Sequence, residues 1–186
     1  MTSYDAVVLA GGSARRLGGV DKPALDVAGT SLLERVLAAV AGAGRTVVVG
    51  PERRTSRPVL WAREDPPGGG PVAALAAALP HVTADRVVLV AADLPFLDAA
   101  TVDRLVDAGG EGALLVDENG RDQVLTSAWD SALLRAALPE QVDGARLRVV
   151  LDRLRGRRLP PLGGDRPGPW TDCDTADDLA RARAVR

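Results

Sequence analysis

A glycine-rich and basic segment near the start of the chain contains the residue types that hold phosphate groups. The segment reads Leu9-Ala10-Gly11-Gly12-Ser13-Ala14-Arg15-Arg16-Leu17-Gly18-Gly19-Val20-Asp21-Lys22. Because glycines lack side chains, their backbone N–H groups can approach an anion closely, and the basic side chains add positive charge beside them. A loop this long inside a compact domain usually has a function. We interpret it as a triphosphate-binding loop at the carboxyl end of a strand.

Two better-known phosphate motifs do not fit this segment. A Walker A loop has Ser or Thr after its lysine, whereas Pro23 follows Lys22. A dinucleotide fingerprint has three closely spaced glycines that open directly into a helix, whereas here a basic stretch and Pro23 intervene. A flexible surface loop is the remaining alternative, but the coincidence of strand, glycines and cations favours phosphate binding.

The lysine of the segment is unusual in this chain. Of the 23 basic residues only Lys22 is a lysine. An ammonium group binds phosphate as a compact point charge, whereas the planar guanidinium of arginine requires a different geometry. The retention of this one lysine supports a direct contact between Lys22 and phosphate.

A second candidate group follows the most strand-like run of the chain. The run 86–92, which is apolar from Val87 onward, ends in Asp93-Leu94-Pro95, and α/β sheets bind their ligands at the carboxyl ends of such strands. Mg²⁺ prefers carboxylate oxygens and bridges to phosphate, so we predict Asp93 as a Mg²⁺ ligand. The alternative is that Asp93 caps the next helix, but Asp98 is better placed for that.

A third candidate lies in the Gly- and Pro-rich residues 63–71, which cannot form regular structure. Asp65 beside these glycines can accept hydrogen bonds from the N–H groups of a guanine while the backbone packs on the base. The alternative is an ordinary loop between a strand and a helix.

The sequence contains no plausible Ser-His-Asp or Cys-His pair for nucleophilic catalysis, because it has one histidine and one cysteine. The attacking oxygen therefore comes from a substrate, and the protein positions the reactants and offsets charge. We expect a substrate phosphate to attack the α-phosphorus of a nucleoside triphosphate with release of pyrophosphate. Mg²⁺ on Asp93, together with Lys22 and Arg16, offsets the repulsion between the two anions.

The pattern of apolar runs and breakers predicts the elements that position these groups. Strands are predicted at 4–10, 46–49, 59–62, 86–92, 113–116 and 124–129, the last antiparallel. Helices are predicted from Ser31 to about residue 41 and at 72–79, 98–108, 131–138 and 145–154, with a final helix capped by Asp174 or Thr175. Alternating strands and helices predict an α/β fold, a three-layer Rossmann-like sandwich with a mostly parallel twisted sheet and helices on both faces.

The composition narrows the class of protein. A chain of 186 residues suits a single domain over residues 1–186. A net charge of −2 gives no reason to expect nucleic-acid binding, and the single Cys173 allows neither an intramolecular disulfide nor a cysteine metal site. No signal peptide or membrane-length apolar run is present, so we expect a cytoplasmic protein that binds no membrane.

The first motif, followed by four others, resembles the nucleotidyltransferases of the molybdenum cofactor guanylyltransferase group. The others are Glu64-Asp65 with Gly70-Pro71-Val72-Ala73, Asp93-x-Pro95, Gly120-Arg121-Asp122-Gln123 and the closing Asp172-x-Asp174-Thr175. The resemblance covers nearly the whole chain.

The resemblance implies a substrate pair and a role for particular residues. The nucleotide GTP would be held by Leu9, Ala10, Gly11, Gly12 and Lys22, and Gly50 stands where a relative has a nucleotide-contacting Asn. Asp65 would recognise the guanine base, and Asp93 would bind Mg²⁺. The acceptor would be a molybdenum-bearing pterin phosphate, bound by Arg121, Gln123, Asp172 and Asp174. The product would be the guanine dinucleotide cofactor, and the implied protein partners are molybdoenzymes or cofactor-insertion proteins.

Other functions stay open at this point. The same reaction could use another nucleotide or acceptor, as in cytidylyl transfer to the pterin or guanylyl transfer to another small phosphate. A regulatory protein that binds a nucleotide without turnover is a different class, against which Lys22 and Asp93 argue. A Rossmann dehydrogenase is disfavoured by the sequence of the first loop.

Overall fold

The computed structural model describes residues 2–11, 20–160 and 167–184. The described strands are β1 (Tyr4–Leu9), β2 (Asp26–Val27), β3 (Thr30–Ser31), β4 (Thr46–Val49), β5 (Leu60–Ala62), β6 (Arg86–Ala91), β7 (Gly112–Val116), β8 (Asp122–Asp130) and β9 (Gly156–Leu159). The described helices are α1 (Leu32–Ala39), α2 (Gly70–Ala78), α3 (Ala99–Asp107), α4 (Ser131–Ala137), α5 (Leu147–Leu151) and α6 (Ala176–Ala184).

One seven-stranded sheet organises the chain, in the order β5-β4-β1-β6-β8-β7-β9. The pairs β1–β4, β1–β6, β4–β5 and β7–β9 are parallel, and β8 runs antiparallel to both β6 and β7. The expected mostly parallel sheet with an antiparallel strand at 124–129 is therefore confirmed.

Both faces of the sheet are covered by helices, as expected for a three-layer sandwich. Ala6 and Val8 of β1 pack into one apolar cluster with residues of α1 and α3, whereas Val7 packs into a second cluster with residues of α2, α4 and α5. All three side chains are fully buried. Consecutive residues of a strand point to opposite faces, so an uninterrupted apolar run such as Ala6–Leu9 of β1 must be buried on both sides.

The register of the central strands brings their carboxyl ends together. Leu9 of β1 pairs with Val49 of β4 on one side and with Ala91 of β6 on the other. The segments that follow these strands therefore start at the same edge of the sheet, where ligands bind in folds of this kind.

The helix caps decide two questions that the sequence left open. The Asp98 side chain accepts a hydrogen bond from the backbone N–H of Thr101 at 2.8 Å, so Asp98 caps α3. Thr175 Oγ1 accepts one from the N–H of Asp178 at 3.2 Å at the start of α6. Capping by these two residues leaves the side chains of Asp93 and Asp174 available for other contacts.

Three local predictions differ from the structure. Helix α5 is shorter than the predicted 145–154, and the residues after it form the unpredicted edge strand β9. The unpredicted hairpin β2–β3 turns at Ala28 and Gly29, which both have positive φ, as tight hairpins require. Pro23 does not simply interrupt helix formation, because it lies in a one-turn 3₁₀ helix, Lys22–Ala24.

Gly156 at the start of β9 explains why that strand is hard to predict. A Cβ atom at Gly156 would lie 2.5 Å from the indole of Trp129, and one at Gly112 in β7 would lie 2.3 Å from it. The two glycines let these strands pair beside a fully buried tryptophan, a contact that no local pattern shows. Within the part of the chain that the structure describes, no helix is both long and apolar enough to cross a bilayer.

Candidate active site

The carboxyl ends of β1, β4 and β6 open into a cleft of about 1190 Å³. Its volume lies just above the range of about 300–1,000 Å³ that is usual for the site of a small ligand. One part of its lining comes from the ends of β1, β4 and β5 and from the loop before α2, and the other comes from β8, Trp170 and Asp172. Asp93 lines the cleft where β6 ends, between these strands in the sheet order.

Lys22 connects three separate segments of the chain at this point. Its Nζ forms an ion pair with Asp93 Oδ2 and donates to Asp174 Oδ1 at 2.5 Å, across 152 positions of sequence. The side chain of Lys22 is 13% exposed and that of Asp93 is 21% exposed. The structure therefore brings the predicted phosphate-binding lysine to the predicted metal-binding carboxylate.

The charges at this centre set the protonation of its groups. Burial lowers the pKa of Lys22, but the hydrogen bonds from its ammonium to Asp174 and Asp93 raise it by more, so the net shift is upward. Partial desolvation raises the pKa of Asp172, which lies at the exposed mouth of the cleft, and the negative charges of Asp174 and Asp93 raise it further. Among the described residues, the Lys22 ammonium thus faces the carboxyl groups of Asp93, Asp172 and Asp174, a set that suits an additional cation.

Asp93 has an oxygen atom that suits such a cation. Its Oδ1 is buried and accepts no hydrogen bond from the described residues, and a buried acceptor without a partner is costly. Among residues 2–11, 20–160 and 167–184, no group of three or more His, Cys, Asp or Glu side chains is arranged to hold a metal by itself. This donor set fits Mg²⁺, which binds proteins through one or two carboxylates and takes its other ligands from phosphates and water.

The first part of the predicted phosphate loop lines the cleft. Leu9, Ala10 and Gly11 all lie in its wall, and the N–H of Ala10 donates to the carbonyl of Val49 at 2.8 Å. Gly12 and Arg16 lie outside the described residues, as do the other loop residues from 13 to 19, so their predicted roles stay predictions.

Gly50 controls how closely β4 approaches this loop. Its φ is +145°, and a Cβ atom here would lie 2.8 Å from the carbonyl oxygen of Ala10. Its N–H donates to the carbonyl of Ala62 at 2.9 Å. Gly50 lines the cleft, but it contributes backbone and close packing rather than a side chain.

The predicted guanine-binding acid does not lie in the cleft wall. Asp65 is exposed, whereas its neighbour Glu64 is half-buried and lines the cleft. Glu64 Oε1 accepts a hydrogen bond from the N–H of Gly68 at 3.2 Å and so holds the glycine-rich loop. Sequence analysis quoted Glu64 only as part of a motif and gave it no role.

The predicted acceptor-binding residues are divided between several places. Gln123 and Asp172 line the cleft, Asp174 contacts Lys22, and Arg121 is exposed outside the cleft wall. Gln123 Nε2 donates to Asp117 Oδ2 at 2.9 Å. Asp122, which sequence analysis gave no role, also lines the cleft and pairs with Arg148 at 2.9 Å and Arg158 at 2.7 Å.

Two relatives named molybdenum cofactor guanylyltransferase are similar to this chain over nearly its whole length. The chain is 38% identical to a molybdenum cofactor guanylyltransferase of Bradyrhizobium sp. (strain ORS 278), over 99% of this chain and 93% of the relative. A molybdenum cofactor guanylyltransferase of Rhodopseudomonas palustris (strain BisB5) is 39% identical over 97% and 92%.

A solved structure has the same fold. The molybdopterin-guanine dinucleotide biosynthesis protein A of Archaeoglobus fulgidus superposes with a TM-score of 0.70 at 22% identity, covering 97% of both chains. The family model described as the MobA-like NTP transferase domain matches residues 6–158. Lys22 and Asp93 are paired at the carboxyl edge of the sheet, and the relatives match over nearly the full length of the chain. Because the family model also matches most of the chain, the chain belongs to the MobA-like NTP transferase family of nucleotidyltransferases.

Proposed function

We propose that this protein transfers GMP from GTP to the phosphate of molybdenum-bearing molybdopterin, with release of pyrophosphate and formation of the guanine dinucleotide cofactor. The observation that carries the proposal is the contact of Lys22 with Asp174 and with Asp93, the carboxylate that lines the cleft where β6 ends. The near full-length identity to relatives named molybdenum cofactor guanylyltransferase supports this choice of substrates. Molybdoenzymes or cofactor-insertion proteins are the partners that would receive the product.

The reaction needs charge compensation more than proton transfer. A phosphate monoester loses its second proton near pH 6, so the acceptor is already ionised at neutral pH and needs no general base. The one cysteine does not compete as a nucleophile, because burial raises the pKa of Cys173 to about 11 and keeps it a thiol. The work left to the protein is to bring two anions together.

Lys22 and the first loop perform this work in our proposal. Two like unit charges about 4 Å apart repel by roughly 4 kcal/mol at an effective dielectric constant near 20. The raised pKa of Lys22 keeps its ammonium charged at neutral pH beside the phosphates, while the backbone of Leu9, Ala10 and Gly11 positions the nucleotide. Mg²⁺, held by Asp93 when bound, supplies further positive charge for the approaching phosphate and the leaving pyrophosphate.

The proposal is tested by pyrophosphate release. Purified protein mixed with GTP, Mg²⁺ and molybdenum-bearing molybdopterin should release one pyrophosphate per guanine dinucleotide formed, and omission of the acceptor or of Mg²⁺ should abolish this. Faster turnover with CTP than with GTP would show that the nucleotide substrate is CTP. Faster turnover with another small phosphate than with the pterin would show that the acceptor is a different compound. Tight GTP binding without pyrophosphate release from any tested pair would indicate a regulatory nucleotide-binding protein.

The close approach at Gly50 leads to a first prediction for a variant. Gly50→Ala should lower kcat/KM for GTP at least about tenfold, since its Cβ must displace the Ala10–Gly11 backbone, and misplacement by 1 Å can cost about a hundredfold. Steady-state kinetics at saturating acceptor measure this effect.

Gly29→Ala is the matched control for Gly50. Gly29 also has positive φ, at +85°, but a Cβ there meets nothing within 4 Å. Both variants carry backbone strain of about 1–3 kcal/mol and should melt at lower temperature, whereas only Gly50→Ala should lose affinity for GTP. An unchanged KM for GTP in Gly50→Ala would show that Gly50 does not shape the nucleotide site.

A further inference from the structure

The cleft divides into two parts with different lining. The backbone-rich part, formed by the ends of β1, β4 and β5 and by the loop before α2, contains the glycines that suit a nucleotide. In the sheet order, β8 lies on the other side of β6 from these strands. Asp93 lies where β6 ends and pairs with Lys22, so the phosphates of the nucleotide would lie at the boundary between the two parts. The second substrate would then occupy the part that is lined by β8, Trp170 and Asp172.

Trp170 differs from every other side chain in this wall. Among the described residues that line the cleft it is the one aromatic side chain. The chain has five aromatic residues, and the other four lie in or against the apolar clusters without lining the cleft. Trp170 therefore adds an aromatic surface to a wall whose other side chains are aliphatic, polar or charged.

The structure also fixes the position of this indole. Trp170 is half-buried and packs against the apolar cluster that contains residues of α1 and α3. A Cβ atom at Gly168 would lie 2.4 Å from the indole, so the Gly168 backbone lies directly against the ring. The N–H of Thr171 donates to the carbonyl of Gly168 at 2.9 Å and closes the turn. A side chain held in this way can offer a rigid aromatic surface.

The neighbours of Trp170 place that surface beside the phosphate-binding centre. Asp172 lines the same cleft two positions later, and Asp174 contacts Lys22 four positions later. Gln123 and Asp172 in the same wall carry polar groups that can pair with ring nitrogens and exocyclic groups of a heterocycle.

We propose that Trp170 is a specificity-determining residue that packs against the planar heteroaromatic ring of the phosphorylated acceptor. The acceptor part of the cleft then prefers a phosphate attached to a flat heterocycle over a phosphate attached to an aliphatic chain. This inference rests on the proposed function and adds the residue that recognises its acceptor. Loss of such a stacking contact weakens binding about five- to a hundredfold.

Binding measurements with a pterin monophosphate test the inference without turnover. Calorimetry should show that wild-type protein with Mg²⁺ binds the pterin monophosphate at least about fivefold more tightly than glycerol 3-phosphate. Trp170→Leu should lose most of this preference, and Trp170→Phe, which keeps an aromatic ring, should retain most of it. The affinity for GTP should stay within twofold of wild type in both variants.

Trp61→Leu is the matched control, because Trp61 is a half-buried tryptophan that does not line the cleft. It should leave the preference for the pterin unchanged. Equal affinity of wild-type protein for the two phosphates would overturn the inference, and this comparison needs no variant to fold. A Trp170→Leu variant that is folded and binds the pterin as wild type does, or that loses GTP instead, would also overturn it.

The two proposals fail in different ways. If wild-type protein releases no pyrophosphate with GTP and molybdopterin, the proposed function is wrong, whatever Trp170 binds. If pyrophosphate is released but Trp170→Leu keeps the wild-type KM for molybdopterin, only the role of Trp170 is wrong.

Discussion

Asp93→Ala should lower kcat at least about a hundredfold at saturating GTP, acceptor and Mg²⁺, the size expected for losing one preorganised electrostatic group. Asp93 offers the cleft a buried Oδ1 that accepts no hydrogen bond from the described residues, while its Oδ2 pairs with Lys22. The variant removes the proposed metal ligand and one of the partners that hold the lysine. Asp93→Asn, which keeps the shape and removes the charge, should lose nearly as much.

Asp98→Ala is the control for Asp93→Ala, since it removes an aspartate five positions later that caps α3. Loss of a cap costs about 1 kcal/mol of stability, so this variant should melt at lower temperature while its kcat stays within a few fold of wild type. A folded Asp93→Ala protein with the wild-type kcat would show that Asp93 has no role in the reaction.

Lys22→Gln should also lower kcat/KM for GTP at least about a hundredfold. Lys22 is the cation that the structure places between Asp93 and Asp174, and glutamine keeps a polar N–H donor on a side chain one atom shorter while removing the charge. Lys22→Arg should recover only a small part of the activity, because a planar guanidinium does not fit where a compact ammonium binds. Full activity in Lys22→Gln would contradict a role for its charge.

The same variant has a stability signature with a defined pH range. The folded-state pKa of Lys22 is raised above the usual 10.5, so its ion pairs stabilise the fold below about pH 10.5 and this contribution is lost at higher pH. Thermal melts of wild type and Lys22→Gln should therefore differ at neutral pH and converge as the pH rises above that value.

The sequence was most informative where a segment is buried on both faces. The strands β1, β4 and β6 each contain a continuous apolar run, Ala6–Leu9, Val47–Val49 and Val87–Ala91, so they predicted central strands and the edge at which Lys22 and Asp93 meet. The choice between Asp93 and Asp98 as a helix cap also followed from local spacing, because a cap acts on the backbone only two or three residues away.

Other features depend on tertiary contacts that no local pattern contains. The contact of Lys22 with Asp174 joins residues 152 positions apart, and β9 exists because Gly156 passes beside Trp129. Glu64 and Asp65 are adjacent acids in an irregular loop, where the backbone alone decides which one faces the cleft. Trp170 follows a Pro- and Gly-rich stretch, and only its packing on Gly168 and the core shows that its ring lines the site.

The most direct test is a crystal structure of the protein with Mg²⁺ and a non-hydrolysable GTP analogue. We expect the triphosphate against the backbone of Ala10 and Gly11 and the ammonium of Lys22, with Mg²⁺ bound by Asp93 and with the base beside the ends of β4 and β5. A nucleotide bound outside this cleft, or a triphosphate that contacts neither Lys22 nor Asp93, would contradict the account.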